Sequence, residues 1–358
     1  MARASRDLAG LPAFAALTVA LAAILAAAPA TPACAADAID PRVSSDALIT
    51  GGLAFPAGLV LRGEEVFVSA EEVRIVYRLT NLSPIAASGP LTMRLPDFNA
   101  DTTANSFDSL PDEPSANFLD AGLEAEGRPL PPKIELRAFA GGVDHTADLL
   151  AAGAPLRAWS DPAGPSAALS ALPLAAKQRL QRLRLVRSEE AGVAPQDANG
   201  RDMPHPWIWP AWTLRTTLVW TPTLPPGREV VLTLRYKPSV GLRPELACCL
   251  DQRAPEERRA YCVDDALIAA WRDAHPSADP DEAGFYVKTL AIAPPPPRRP
   301  LADFRLVVDK GDEANLLSLC QSGLRKTSAT RFEAHTRNAL PPATIRLLIL
   351  TRRPGPQP

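Results

Sequence analysis

Apolar and polar residues alternate with a period of two through much of this chain. In "VRIVYRLT", Val73, Ile75, Tyr77 and Leu79 share one face, and Arg74 and Arg78 take the other. "WTLRTTLVW" sets Trp212, Leu214, Leu218 and Trp220 together, opposite Thr213, Arg215 and Thr217. "VVLTLRY" does the same with Val230, Leu232, Leu234 and Tyr236. Side chains on a strand point to opposite faces in turn, so each run buries one face and wets the other, as antiparallel strands do. "TPTLPPGRE" between the last two runs holds prolines and Gly227, and predicts a hairpin there. Further strands are predicted at Leu91 to Leu95, Lys133 to Phe139, Gly284 to Ile292, Phe304 to Val308 and Thr344 to Leu350.

Three stretches carry a helical pattern instead. In "DHTADLLAAG", Asp144 or Thr146 is placed to cap a short helix that Gly153 ends. "LPLAAKQRLQRLRLVRSEEAG" brings Leu180, Leu183 and Arg187 near one another and stops at Gly192. "DDALIAAWRDAH" starts at Asp264 or Asp265, sets Leu267 and Trp271 four apart and is halted by Pro276. The fold expected is mainly β: an antiparallel β-sandwich, immunoglobulin-like or similar, with a helical insertion at about 144–205 and a further short helix. Asn99 to Ser115 and Ala293 to Pro300 are expected as connectors, the second ("PPPPRRP") extended and stiff.

The N-terminus predicts an export signal over residues 1–36. Arg3 and Arg6 precede an apolar run from Leu11 to Ala28, and Ala33-Cys34-Ala35 offers a cleavage site. A main domain then spans 37–292, a proline-rich connector 293–300, a C-terminal β segment 301–351 packed on the main domain, and a polar tail 352–358. No later segment is long and apolar enough to span a bilayer, so the expected location is periplasmic or secreted. Without the signal, 36 basic and 39 acidic residues leave a net charge of −3, which argues against a nucleic-acid binder.

Removal of Cys34 leaves four thiols: Cys248, Cys249, Cys262 and Cys320. An even number in an oxidising compartment favours disulfides, and four cysteines allow three pairings. Adjacent Cys248 and Cys249 do not suit one tetrahedral metal, and no metal or cofactor site is expected. A cysteine nucleophile at Cys262 would need His275 or His335 as base, and no local signature supports it. Asp264 and Asp265 fit a helix cap better than a pair of catalytic carboxylates. "SADPDEAG", with Asp279, Asp281 and Glu282, lacks the spacing of a calcium loop. The basic residues Lys177, Arg179, Arg182, Arg184 and Arg187 read as a solvated helix face. Trp207 and Trp209, in "PHPWIWP", are the candidate binding residues: they could line a groove for a protein or glycan partner.

"DALITGGLAF", "LRAFAGGVDHTADLLAAGAPL", "PAWTLRTTLVWTPTLPPGREVVLTLRYKPSVG", "YCVDD" and "DFRLVVDKGDEANLLSLC", in this order, resemble an exported bacterial family known as domain of unknown function 4424. The likeness covers nearly all of the mature chain. It implies no activity and no catalytic residues. Because it rests on "YCVDD" and "SLC", it implies a bond between Cys262 and Cys320. The function expected from all this is a non-catalytic envelope binding or structural module, with a hydrolase assembled from distant residues as the alternative.

Overall fold

A computed structural model describes residues 48–87, 89–100, 110–112, 115–160, 164–189, 201, 206–246, 255–274, 284–294, 297 and 299–352. The expected signal segment, Cys248, Cys249, His205, His275, the acidic run at Asp279–Glu282 and much of the Asn99–Ser115 connector lie outside them. The chain opens with β1 (Thr50–Gly51), β2 (Leu59–Val68), β3 (Val73–Asn81), β4 (Leu91–Arg94) and β5 (Phe98–Asn99). Next come β6 (Gly122–Ala125), β7 (Arg128–Leu130), β8 (Lys133–Ala140) and β9 (Val143–Asp144). Helices α1 (Thr146–Ala151), α2 (Pro165–Ser170) and α3 (Leu174–Arg182) follow. The middle holds β10 (Val186–Glu189), β11 (Trp207–Pro210), β12 (Thr213–Trp220), β13 (Glu229–Tyr236) and β14 (Gly241–Leu246). Helices α4 (Pro255–Tyr261) and α5 (Asp265–Asp273) precede β15 (Gly284–Ala293), β16 (Asp303–Asp309), β17 (Leu316–Leu319), β18 (Arg325–Lys326), β19 (Arg331–Thr336) and β20 (Ile345–Arg352).

These strands build a sandwich. One layer is an eight-stranded sheet in the order β18-β19-β16-β2-β3-β13-β6-β7. The other consists of two five-stranded sheets: β1, β14, β15, β20 and β17 in one, β4, β5, β12, β8 and β9 in the other. The alternation read from sequence places the core. Ile75 and Tyr77 lie opposite Leu234 and Leu232 in register, and all four are buried against Leu218, Trp220, Leu290, Leu347 and Ile349 of the facing layer. Each such fully buried apolar side chain is worth roughly 1.5–3 kcal/mol over an exposed one. A cross-strand pair is worth only roughly 0.2–1 kcal/mol, so facing is decided by burial.

The hairpin expected between β12 and β13 does not form. β12 pairs with β4, β5 and β8, whereas β13 pairs with β3 and β6 in the opposite layer. The connection is an arch. Leu224 is buried in it, exchanges two 2.9 Å hydrogen bonds with Ala87, and accepts a third at its carbonyl from Asn81 Nδ2 at 3.1 Å. A tight two-residue hairpin needs positive φ at its centre. Pro222, Pro225 and Pro226 stiffen this longer link instead, and it crosses the end of the core. The sandwich also departs from purely antiparallel pairing, since β16 runs parallel to β2 and β1 parallel to β15.

The insertion forms a second core. Leu149, Leu169, Leu180 and Leu185 pack with Ala138, Ile208, Trp212 and Leu214. Its long helix is shorter than the sequence pattern implies. Arg184 adopts φ 56°, and Leu185 N–H donates to Leu180 O while Arg184 N–H donates to Gln181 O. That pair of bonds with a left-handed residue closes a helix, and the apolar Leu180–Leu185 couple shields it. The chain then turns into β10, which pairs with β11. Gly153, with φ 74°, ends α1 by the same device. At α5, Asp264 caps the first turn by accepting from Leu267 N–H at 2.8 Å.

Beyond the proline-rich connector, β16 lies between β19 and β2, and β20 between β15 and β17. The final segment thus contributes interior strands to both layers.

Candidate binding cleft

The segment Leu53–Gly58 links β1 to β2 across the open end of the sandwich. Leu53 is fully buried and its N–H donates to Tyr77 Oη at 3.1 Å. Ala54 exchanges two hydrogen bonds with Thr92. Phe55 stands edge-on to the Tyr77 ring, centroids 5.2 Å apart. Gly89 touches this segment so closely that a Cβ there would lie 2.7 Å from Pro56 Cβ. Gly58, at φ 92°, turns the chain into β2.

A bulge then decides which side chains reach the opening. Leu61 lies opposite Leu79, and Gly63 opposite Arg78, so Arg62 is the extra residue. Unbroken alternation back from Val68, Val66 and Glu64 would bring Arg62 inward. The bulge sends it out to solvent and turns Leu59 and Leu61 toward the core. On the far wall Asn81, itself buried, donates to Ile85 O at 2.9 Å and accepts from Ser83 N–H. The turn it braces leaves Leu82 and Ile85 59% and 72% exposed.

The result is a cleft of about 470 Å³, lined by Phe55, Leu59, Leu61, Leu82, Pro297 and Arg299 among others. Among the described residues, Arg299 is the charged one in this lining. An apolar cavity with a cation in its lining has the make-up of a ligand pocket. Behind it, Glu64 faces Tyr77 across β2–β3. Among the described residues, neither Glu64 carboxyl oxygen has a hydrogen-bond partner, and burial pushes its pKa up to about 8. Burial, then the nearby Glu64 carboxyl, pushes Tyr77 well above the usual phenol range.

The tryptophans divide differently from the sequence reading. Trp207 is only 2% exposed, so it does not line an open surface. The neighbouring Ile208 N–H donates to Ser166 Oγ, which ties this ribbon to α2. Trp209 is partly buried, opposite Arg187 on β10. Trp212 and Trp220 lie in the core as their alternation requires, with ring N–H groups donating to Leu156 O and Leu130 O.

Cys262 and Cys320 form a disulfide, their Cα atoms 5.1 Å apart. It fastens the α4–α5 turn to the end of β17, where Ser318 Oγ also donates to Tyr261 O and Cys262 O. Val263, Ile268 and Trp271 are thereby held on Val287, Leu348 and Leu350. The bond also removes Cys262 as a nucleophile for His335. His335 Nε2 lies 2.6 Å from Asp303 Oδ1, and the imidazole holds that carboxyl below the ordinary range. His145 is similarly placed on Asp148 at 3.0 Å. Among the described residues, no three His, Cys, Asp or Glu side chains converge as metal ligands.

Comparison with known proteins adds one decisive match. The family described as "Domain of unknown function (DUF4424)" covers residues 44–348. This chain belongs to the DUF4424 family. None of the curated proteins matches it. A crystal structure of a "putative nutrient binding protein" from Legionella pneumophila subsp. pneumophila str. Philadelphia 1 is similar at 10% identity and a TM-score of 0.39, over 85% of this chain and 72% of that one. A likeness so distant carries no function across. What DUF4424 membership adds here is that the strands forming the cleft all lie inside the matched span.

Proposed function

We propose that this DUF4424 protein is a non-catalytic binding module of the cell envelope, and that the cleft over Phe55, Leu59 and Leu61 receives an apolar group bearing an adjacent anion. The observation that carries this reading is the cleft itself: an apolar cavity flanked by exposed Leu82 and edged by Arg299. Burying an apolar group there releases ordered water from both surfaces, and Arg299 favours a partner with a negative group at the matching position. The disulfide is compatible with an exported protein, and no described helix is long and apolar enough to cross a membrane.

An anilinonaphthalene sulfonate dye, apolar rings with one anionic group, is a direct probe. Folded protein should bind it at one saturable site with a rise in fluorescence. Leu82→Asp and Arg299→Glu, both at exposed positions, should each weaken binding about tenfold, as expected for loss of ~1.4 kcal/mol. Trp209→Ala should leave it unchanged. Absence of saturable binding, or equal affinity in all three variants, would refute the assignment.

A further inference from the structure

Among the described residues, the outer edge of β8 stands open, independently of the cleft. β8 pairs with β12 along Lys133–Phe139 on one side. On the other, among the described residues, β9 pairs with Phe139 and Ala140 alone. Ala138 is also satisfied on that side: its carbonyl accepts from His145 N–H and its N–H donates to Thr146 Oγ1, both at 2.9 Å. Peptide groups alternate in direction along an antiparallel strand. Those of Leu136 and Ile134 therefore point the same way as those of Ala138, toward an edge that no strand among the described residues covers. Exposed apolar side chains adjoin it, among the charged Glu135, Arg137 and Asp144. Ile134 is 40% exposed, Val143 57% and Leu150 60%. A groove of about 640 Å³ runs beside the edge, with Leu136, Ala147 and Leu150 in its lining.

Bare edges invite strand addition, and a scatter of like charges commonly prevents it. Here the outward face reads Lys133, Glu135, Arg137, alternating in sign. Lys133 Nζ lies 2.8 Å from Glu135 and Arg137 3.1 Å from Asp144, so the strip is neutral as a whole. That pattern can match itself. We propose that β8 pairs antiparallel with β8 of a second copy of this chain, across a two-fold axis at Ile134.

Two constraints select this register. With the axis at Ile134, Lys133 lies opposite Glu135 of the second copy and Glu135 opposite its Lys133. With the axis at Glu135, Lys133 would meet Arg137 and Glu135 would meet Glu135, two repulsive arrangements. With the axis at Leu136, pairing would run through Ala138, whose edge is already taken. In the selected register the two Ile134 residues exchange two peptide hydrogen bonds. Leu136 N–H reaches Pro132 O of the other copy, and Pro132, which has no N–H, only has to accept. The two sheets become one continuous sheet, and the two exposed Ile134 side chains meet across the axis.

Sedimentation velocity and light scattering on the full mature chain test this. Wild type should dimerise. Lys133→Glu and Glu135→Lys should each raise the dimer dissociation constant about tenfold or more, because each creates two symmetry-related repulsive pairs. The double variant Lys133→Glu/Glu135→Lys restores opposite charges and should recover the wild-type constant to within about threefold. Circular dichroism spectra that superimpose for all four proteins would establish that folding is intact. A wild-type monomer at ~100 µM, single variants that dimerise like wild type, or a double variant no better than the singles would each overturn the proposal.

Discussion

Glu64 shows how one residue's position escapes simple periodicity. "LVLRGEEVFV" breaks its own alternation at Arg62-Gly63, so no strand is evident there from pattern alone. The bulge restores alternation in space and leaves a carboxyl in the core beside Tyr77. Ordinary carboxyls ionise near 4.5, whereas Glu64 in the folded protein holds its proton to about 8. The folded state therefore binds the extra proton, its stabilising effect is complete below about 4.5, and stability falls as pH rises through 8. The shift corresponds to a loss on the order of 5 kcal/mol. Glu64→Gln keeps the neutral amide shape and should remove this slope. Urea unfolding at a series of pH values between 5 and 9 measures it. A variant with the wild-type pH dependence would show that another group is responsible. By contrast, Trp212 and Trp220 were legible as core residues, because they share the period-two face of Leu214 and Leu218, on which Thr216 is the one polar residue.

At the scale of elements, the clearest strands are those whose buried face is wholly apolar, β13 and β16, or apolar but for one residue, β3 with Asn81 and β12 with Thr216. Partner choice was not legible. A proline-rich link between two alternating runs resembles a turn locally, and only the long-range hold of Ala87 and Asn81 on Leu224 makes it an arch. The end of α3 was hidden for a similar reason. Arg184 takes a left-handed conformation usually left to glycine, and the burial of Leu180 and Leu185 compensates. The disulfide has a thermodynamic consequence at this scale. Cys262 and Cys320 are 58 residues apart, so the bond contributes ~4 kcal/mol if it acts mainly by restricting the unfolded chain. Replacing both cysteines with serine should lower the unfolding free energy by about that amount. Denaturant titration measures it. An unchanged midpoint and slope would mean that the α4–α5 contacts with β20 and β17 suffice alone.

For the whole molecule, the mainly β sandwich with a helical insertion was readable from sequence. The cleft was not. Its walls come from a non-periodic stretch, Leu53–Leu61, from a turn at Leu82, and from Pro297 and Arg299 far along the chain. None of these carries a motif, and they meet only because the arch, the bulge and the connector all end at the same opening. "WIWP" is rich in aromatic residues, yet strand pairing and helix packing absorb Trp207. Hydrogen exchange followed by mass spectrometry, with and without saturating anilinonaphthalene sulfonate, tests the central claim most directly. Added protection should map to peptides covering Leu53–Leu61 and Leu82–Ile85. Protection confined to the Trp207–Pro210 strand, or none anywhere, would contradict it.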